Sequence, residues 1–175
     1  MKKLGITLLI IAIICVSTAF AMDKSDKNTE YLRIHIRANS NSDIDQSIKY
    51  DVKSLTVDFL TPYMETVSSK SEAITVLNKV KGGLKNKIDG LLAKKGFNYK
   101  SSVLIKNEEF PTRVYEDLTL EKGYYDAVVV NLGEASGDNW WCVVYPPLCF
   151  LNDESDVSYK SKIVETIRAF KNRRA

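Results

Sequence analysis

Residues 31–46 read YLRIHIRANSNSDIDQ, and the change of period inside this stretch decides the fold class. From Tyr31 to Arg37 the chain alternates, with Leu32, Ile34 and Ile36 on one side and Arg33, His35 and Arg37 on the other. That spacing predicts a strand with one buried and one solvated face. Ala38-Asn39-Ser40-Asn41 then supplies a turn. Ser42-Asp43-Ile44-Asp45 forms a capping box, with Ser42 accepting from the amide three residues on and Asp45 reaching back. A helix follows, because Ile44, Ile48, Val52, Leu55 and Phe59 form one apolar stripe that Pro62 ends or kinks.

Working outward, Ser69-Lys70-Ser71-Glu72 repeats the capping pattern. Leu77, Val80, Leu84, Ile88, Leu91 and Leu92 carry a second stripe to the stop at Lys94-Lys95-Gly96. Gly82-Gly83 lies inside it. At about 1 kcal/mol for each glycine, the segment is either one strained helix or two short ones. From Tyr99 the period becomes that of strands, predicted at 101–106, 113–120, 126–132 and 141–145. Asn107-Glu108-Glu109, Glu121-Lys122-Gly123 and the stretch from Gly133 to Asp138 separate them as turns. The expected arrangement is hairpin-connected antiparallel strands. A last helix is predicted over 156–170 from Ile163, Ile167 and Phe170. The class is therefore α+β: a single two-layer domain over 31–175, with a mostly antiparallel sheet and helices packed on one face.

Ahead of this domain stand Lys2 and Lys3, a 13-residue apolar run from Leu4 to Val16, and Ala19-Phe20-Ala21. These features predict a signal peptide at 1–21, cleaved to leave Met22 first, and a polar linker at 22–30. The run is shorter than the roughly 20 residues that span a bilayer, so membrane association is expected to be transient and confined to this segment. Cys15 follows Ile14 rather than a small residue, which disfavours lipid attachment. Cleavage leaves Cys142 and Cys149, an even count in an oxidising compartment, which favours a disulfide. Two thiolates and the distant His35 do not make a metal shell. The formal charge of +3 includes Lys2 and Lys3, and nothing in the remainder forms a basic tract, so nucleic acid is not the expected partner.

Chemistry has little support in the residues. The chain's one histidine stands between two arginines on the face read as solvated, and signatures for acyl, metal or nucleotide chemistry are absent. No cofactor is expected. Asp43 with Asp45, or Glu108 with Glu109, are the nearest carboxylate pairs for a secreted cell-wall hydrolase. Each has a simpler role, the first pair at a helix N-terminus and the second in a polar turn. A small-ligand sensor would use Arg33, His35 and Arg37 to hold an anion.

Residues 139–150, NWWCVVYPPLCF, contain both tryptophans and two of the three cysteines. They form either a rigid recognition segment presenting Trp140, Trp141, Tyr145, Pro146 and Pro147, or a core hairpin. Strand alternation sends Trp140 and Trp141 to opposite faces.

RIHIRANSNSDIDQ (33–46), Phe110-Pro111-Thr112 and GDNWWCVVYPPLCF (137–150) together resemble the stage II sporulation protein R family of endospore-forming bacteria. Two positions depart from its pattern: Arg37 stands where an apolar residue is expected, and Asn41 where Asp is expected. The resemblance implies a non-enzymatic signal exported into the space between forespore and mother-cell membranes. It also implies a partner, a membrane-embedded aspartic protease of the mother cell that processes the sigma-E precursor. Asn39, Ser40, Asp45 and Gln46 join the tryptophan segment as implied contact residues.

Overall fold

The computed structural model describes residues 30–115, 118–150 and 167–172. The predicted leader, the linker apart from Glu30 and most of the predicted C-terminal helix lie outside the described residues. Six strands and two long helices are described. They are β1 (Leu32–Arg37), α1 (Asp43–Met64), α2 (Lys70–Lys94), β2 (Ser101–Phe110), β3 (Arg113–Tyr115), β4 (Leu118–Leu120), β5 (Gly123–Leu132) and β6 (Asn139–Tyr145).

Four of these strands form one sheet in the order β2-β5-β1-β6. The class is α+β and the sheet mostly antiparallel, as expected, but the strands are not a simple run of hairpins. β1 enters between β5 and β6, parallel to β5 and antiparallel to β6. The reason is composition. Ala127, Val128, Val129 and Val130 of β5 are all essentially inaccessible, so this strand needs cover on both faces and a neighbour on both edges.

The same placement corrects the reading of β1. Arg33 is 0% and His35 4% exposed, so the face predicted to be solvated is buried. α1 and α2 pack on the face that carries Leu32, Ile34 and Ile36, where Val52, Leu60, Leu84 and Ile88 complete the core. The other face is covered at one end by the small hairpin β3-β4, which was predicted as a single strand. Glu108 and Glu109 lie within β2, not in a turn, because β2 continues in register with β5 until Phe110 faces Gly123. Pro111 then ends it.

The helices follow their caps. Ser42 Oγ accepts from the Asp45 amide and Ser69 Oγ from the Glu72 amide. α1 runs past Pro62 by two residues, and α2 is one continuous helix through Gly82-Gly83. At Gly83 an added Cβ would lie 3.4 Å from the Phe59 ring, whereas at Gly82 it would meet nothing. Residues 167–172 are helical, and the Phe170 ring packs 5.5 Å from Tyr31 and 6.0 Å from Tyr145.

Gly137 has a different burden. The loop from Gly133 to Asp138 lies against the turn after β1, with the Gly137 amide donating to Ala38 O at 3.0 Å and the Ser136 amide to Asn39 O at 3.1 Å. A Cβ at position 137 would stand 2.1 Å from the Ser40 carbonyl oxygen, so backbone would have to move. Gly137→Ala is therefore expected to destabilise by about 2–4 kcal/mol in urea unfolding. Gly82→Ala, in an open helical site, should stabilise by about 0.5–1 kcal/mol.

Candidate functional site

The turn that leaves β1 is built around Asp45. Its carboxylate accepts from Asn39 Nδ2 at 2.8 Å, Ser40 Oγ at 2.5 Å and the Tyr99 hydroxyl at 2.6 Å. Only half of the predicted capping box forms, since the Ser42 amide donates to Ser40 Oγ and Asp45 does not reach back to it. Burial opposes ionisation of Asp45, but the bonds from Ser40, Tyr99, Asn39 and Ser42 outweigh it and hold the carboxyl below its ordinary range. Burial and that carboxylate together push the Tyr99 phenol up.

The network continues outward. Gln46 Nε2 donates to Ser40 O at 2.9 Å and to Asn41 Oδ1 at 3.2 Å. Asn39 Oδ1 accepts from the Glu134 amide at 2.9 Å, and Asn41 Oδ1 from the Asp138 amide at 2.6 Å. Asn39 and Asn41 thus latch this turn to the loop before β6, while Ser40, Asp45 and Gln46 brace the turn from within. Asn41 fills its place as an acceptor, a role that Asp would fill equally well.

β6 carries the tryptophans to opposite faces. Trp140 lies on the helix side, its ring 6.0 Å from Lys53 Nζ of α1. Trp141 lies on the other face, stacked on His35 at 5.3 Å with the Arg113 guanidinium 4.3 Å from its centroid. Both rings are half-buried. Tyr145 is only 2% exposed and its hydroxyl donates to Ser68 O at 2.8 Å. Pro146 and Pro147 are also buried, and the Tyr145–Pro146 peptide is cis. Of the implied contact segment, the two tryptophans are thus the groups a partner can reach. Cys142 and Cys149 stand with Cα atoms 5.8 Å apart, within the span that a disulfide bridges.

The buried polar face of β1 is the feature that sequence reading missed. The Arg33 guanidinium lies 4.1 Å from the Phe110 centroid and 4.7 Å from that of Tyr125, and Nη2 donates to the Tyr115 hydroxyl at 2.9 Å. His35 Nδ1 bonds Glu108 Oε1 at 2.7 Å, Arg37 donates to the same oxygen, and Lys106 Nζ lies 2.8 Å from Oε2. The doubly apolar run in β5 was the available signal, because a strand beside it shares its cover. Burial opposes the charge on Glu108, but bonds from Lys106 and His35 and the Arg37 charge win and lower its pKa. As an ionised acceptor, Glu108 fixes the His35 proton on Nδ1.

Burial is also the largest influence on His35, and with the Arg37 charge it outweighs the raising effect of Asn139 and Glu108, so the imidazole pKa falls below 6.5. The unfolded chain then binds this proton first. Stability is full above about pH 6.5 and declines as pH falls below that value towards the folded pKa. His35 is the chain's one histidine. Thermal unfolding should therefore show a lower Tm at pH 5.5 than at 7.5, with the difference reduced in His35→Gln.

Among the described residues no cluster of His, Cys, Asp and Glu is placed to hold a metal ion, and no helix is long and apolar enough to cross a membrane. A profile of the stage II sporulation protein R family matches residues 28–155, from the approach to β1 past the end of β6. The Stage II sporulation protein R of Bacillus subtilis (strain 168) is 33% identical over 131 residues, covering 75% of this chain and 58% of that protein. The chain thus spans little more than half the length of that curated relative. No solved structure matches it. The latch at Asn39 to Gln46 and the tryptophan strand both fall inside the matched residues, and the chain belongs to the stage II sporulation protein R family.

Proposed function

We propose that this sporulation protein is an exported signal from forespore to mother cell, acting in the space between their membranes. In this reading it activates a membrane-embedded aspartic protease that processes the sigma-E precursor. The observation that carries the reading is the family match across residues 28–155. Its physical side is supported by where polar groups are spent. Asp45 is engaged by three side-chain donors and Glu108 by three cationic or imidazole groups, so one member of each carboxylate pair considered for hydrolysis is occupied structurally. Activation then rests on binding. A partner whose active state is bound a hundredfold more tightly than its inactive state gains about 2.7 kcal/mol, within the range of one aromatic hot spot. Trp140 and Trp141, half-exposed on one strand, suit that role.

Two measurements follow. Thiol alkylation of the exported, folded protein should find Cys142 and Cys149 unreactive until reduction, and two free thiols would remove the bridge from this reading. Co-expression with the membrane protease and its sigma precursor should give processing that depends on this chain. Absence of processing with wild-type protein would overturn the signalling function. Trp141→Ala should reduce processing strongly while costing about 1–3 kcal/mol of stability, less than a fully buried ring.

A further inference from the structure

The sheet face opposite the helices is only partly covered. Arg33, His35 and Arg37 of β1 share it with Lys106 and Leu104 of β2, Asn131 of β5 and Trp141 of β6, as the strand registers require. Hairpin β3-β4 shields the Arg33 end through Tyr115. Towards Arg37 the face opens. Leu104 is 45% exposed, the Lys106 side chain 42% and that of Arg37 27%, with Trp141 and Asn131 half-buried.

The groups on this face are unbalanced. Among the described residues, Arg33, Arg37, Lys106 and Arg113 share this face with one carboxylate, Glu108, which already serves His35, Arg37 and Lys106. Arg33 and Arg113 have no ion-pair partner among the described residues, although Arg33 lies wholly inside the protein. Among the described residues the buried polar atoms without a hydrogen-bond partner are Arg33 Nε and Nη1 and Trp141 Nε1, which are donors, and His35 Nε2 and Glu108 Oε2, which are acceptors, so the excess on this face is one of charge. A guanidinium held in an aromatic enclosure is poorly screened, so its field reaches the open part of the face.

We infer that this face docks an acidic, extended segment of the protein partner. Carboxylates supply acceptors and negative charge together, and apolar residues between them match Leu104 and the Trp141 ring. A flat surface of strand length fits a peptide in extended form, whose side chains alternate in the same way. The inference rests on the partner-binding function proposed above and identifies the face and the chemistry of that contact. Trp141, and not Trp140 on the helix side, is the ring within it.

The test uses the full exported protein and a labelled 12-residue peptide alternating Glu with Val, beside a Gln-Val counterpart and a single-stranded oligonucleotide. The acidic peptide should bind, change Trp141 fluorescence in a Trp140→Phe background, and lose affinity as salt is raised. Arg113→Glu and Lys106→Glu, checked for unchanged thermal unfolding, should each weaken it roughly tenfold. Arg113→Lys, which retains the charge, covers the case in which a reversal fails to fold and should keep most of the affinity. The inference is overturned if the Gln-Val peptide binds as well, if the oligonucleotide binds more tightly, or if folded reversal variants bind like wild type. It is also overturned if the reversals abolish only self-association. In the co-expression assay, reversal variants that fold and bind no peptide should fail to support processing. If they still support it, the face is not the contact and the inference falls while the signalling function stands. Loss of processing with wild-type protein itself would instead remove the function, leaving the peptide measurements to decide the surface.

Discussion

Burial of β1 on both faces and both edges is the constraint on which the rest of the structure depends. A strand with neighbours on both sides has no free hydrogen-bonding edge, and its alternating residues must each find cover. On one side the cover is conventional: Leu32, Ile34 and Ile36 meet the apolar stripes of α1 and α2. On the other side a guanidinium and an imidazole must be accommodated. An isolated buried cation costs several kcal/mol. Phe110 and Tyr125 close over Arg33, and contacts of this kind are worth roughly 0.5–2 kcal/mol each, with one hydroxyl as acceptor. The hairpin β3-β4 is placed where it is because it completes this enclosure.

Local pattern made much of the molecule legible. The alternation at Tyr31 to Arg37, the two serine caps, the helical stripes and the stop at Gly96, whose φ of +84° suits glycine, all report interactions between residues near in sequence. The errors came from contacts between distant residues. Nothing near Arg33 in the chain announces Phe110, Tyr115 and Tyr125, so its side chain read as solvated. Glu108 read as a turn residue because charged residues cluster there, yet its partners His35 and Arg37 lie on β1, two strands away across β5. Parallel pairing of β1 with β5 likewise leaves no local mark, since it is set by which strands need two neighbours.

The residues implied as contact groups divide in the same way. Asn39, Ser40, Asp45 and Gln46 were marked by the family resemblance alone, and the structure joins them in one network. Their present role is to fix the turn after β1 against the loop that precedes β6. Asn39 and Asn41 make the link by accepting from the Glu134 and Asp138 amides, on the N-terminal side of the tryptophan strand. A change in this latch is thus transmitted to Trp140 and Trp141 without touching either ring.

Strand order has a further consequence for the timing of folding. β1 is the first described strand, but its antiparallel partner is β6, the last, and Ile34 faces Cys142 with most of the domain between them. Such long-range pairing is slow to close because loop entropy must be overcome first. A chain emerging from its N-terminus onward therefore keeps an open β1 edge until almost all of the domain is available.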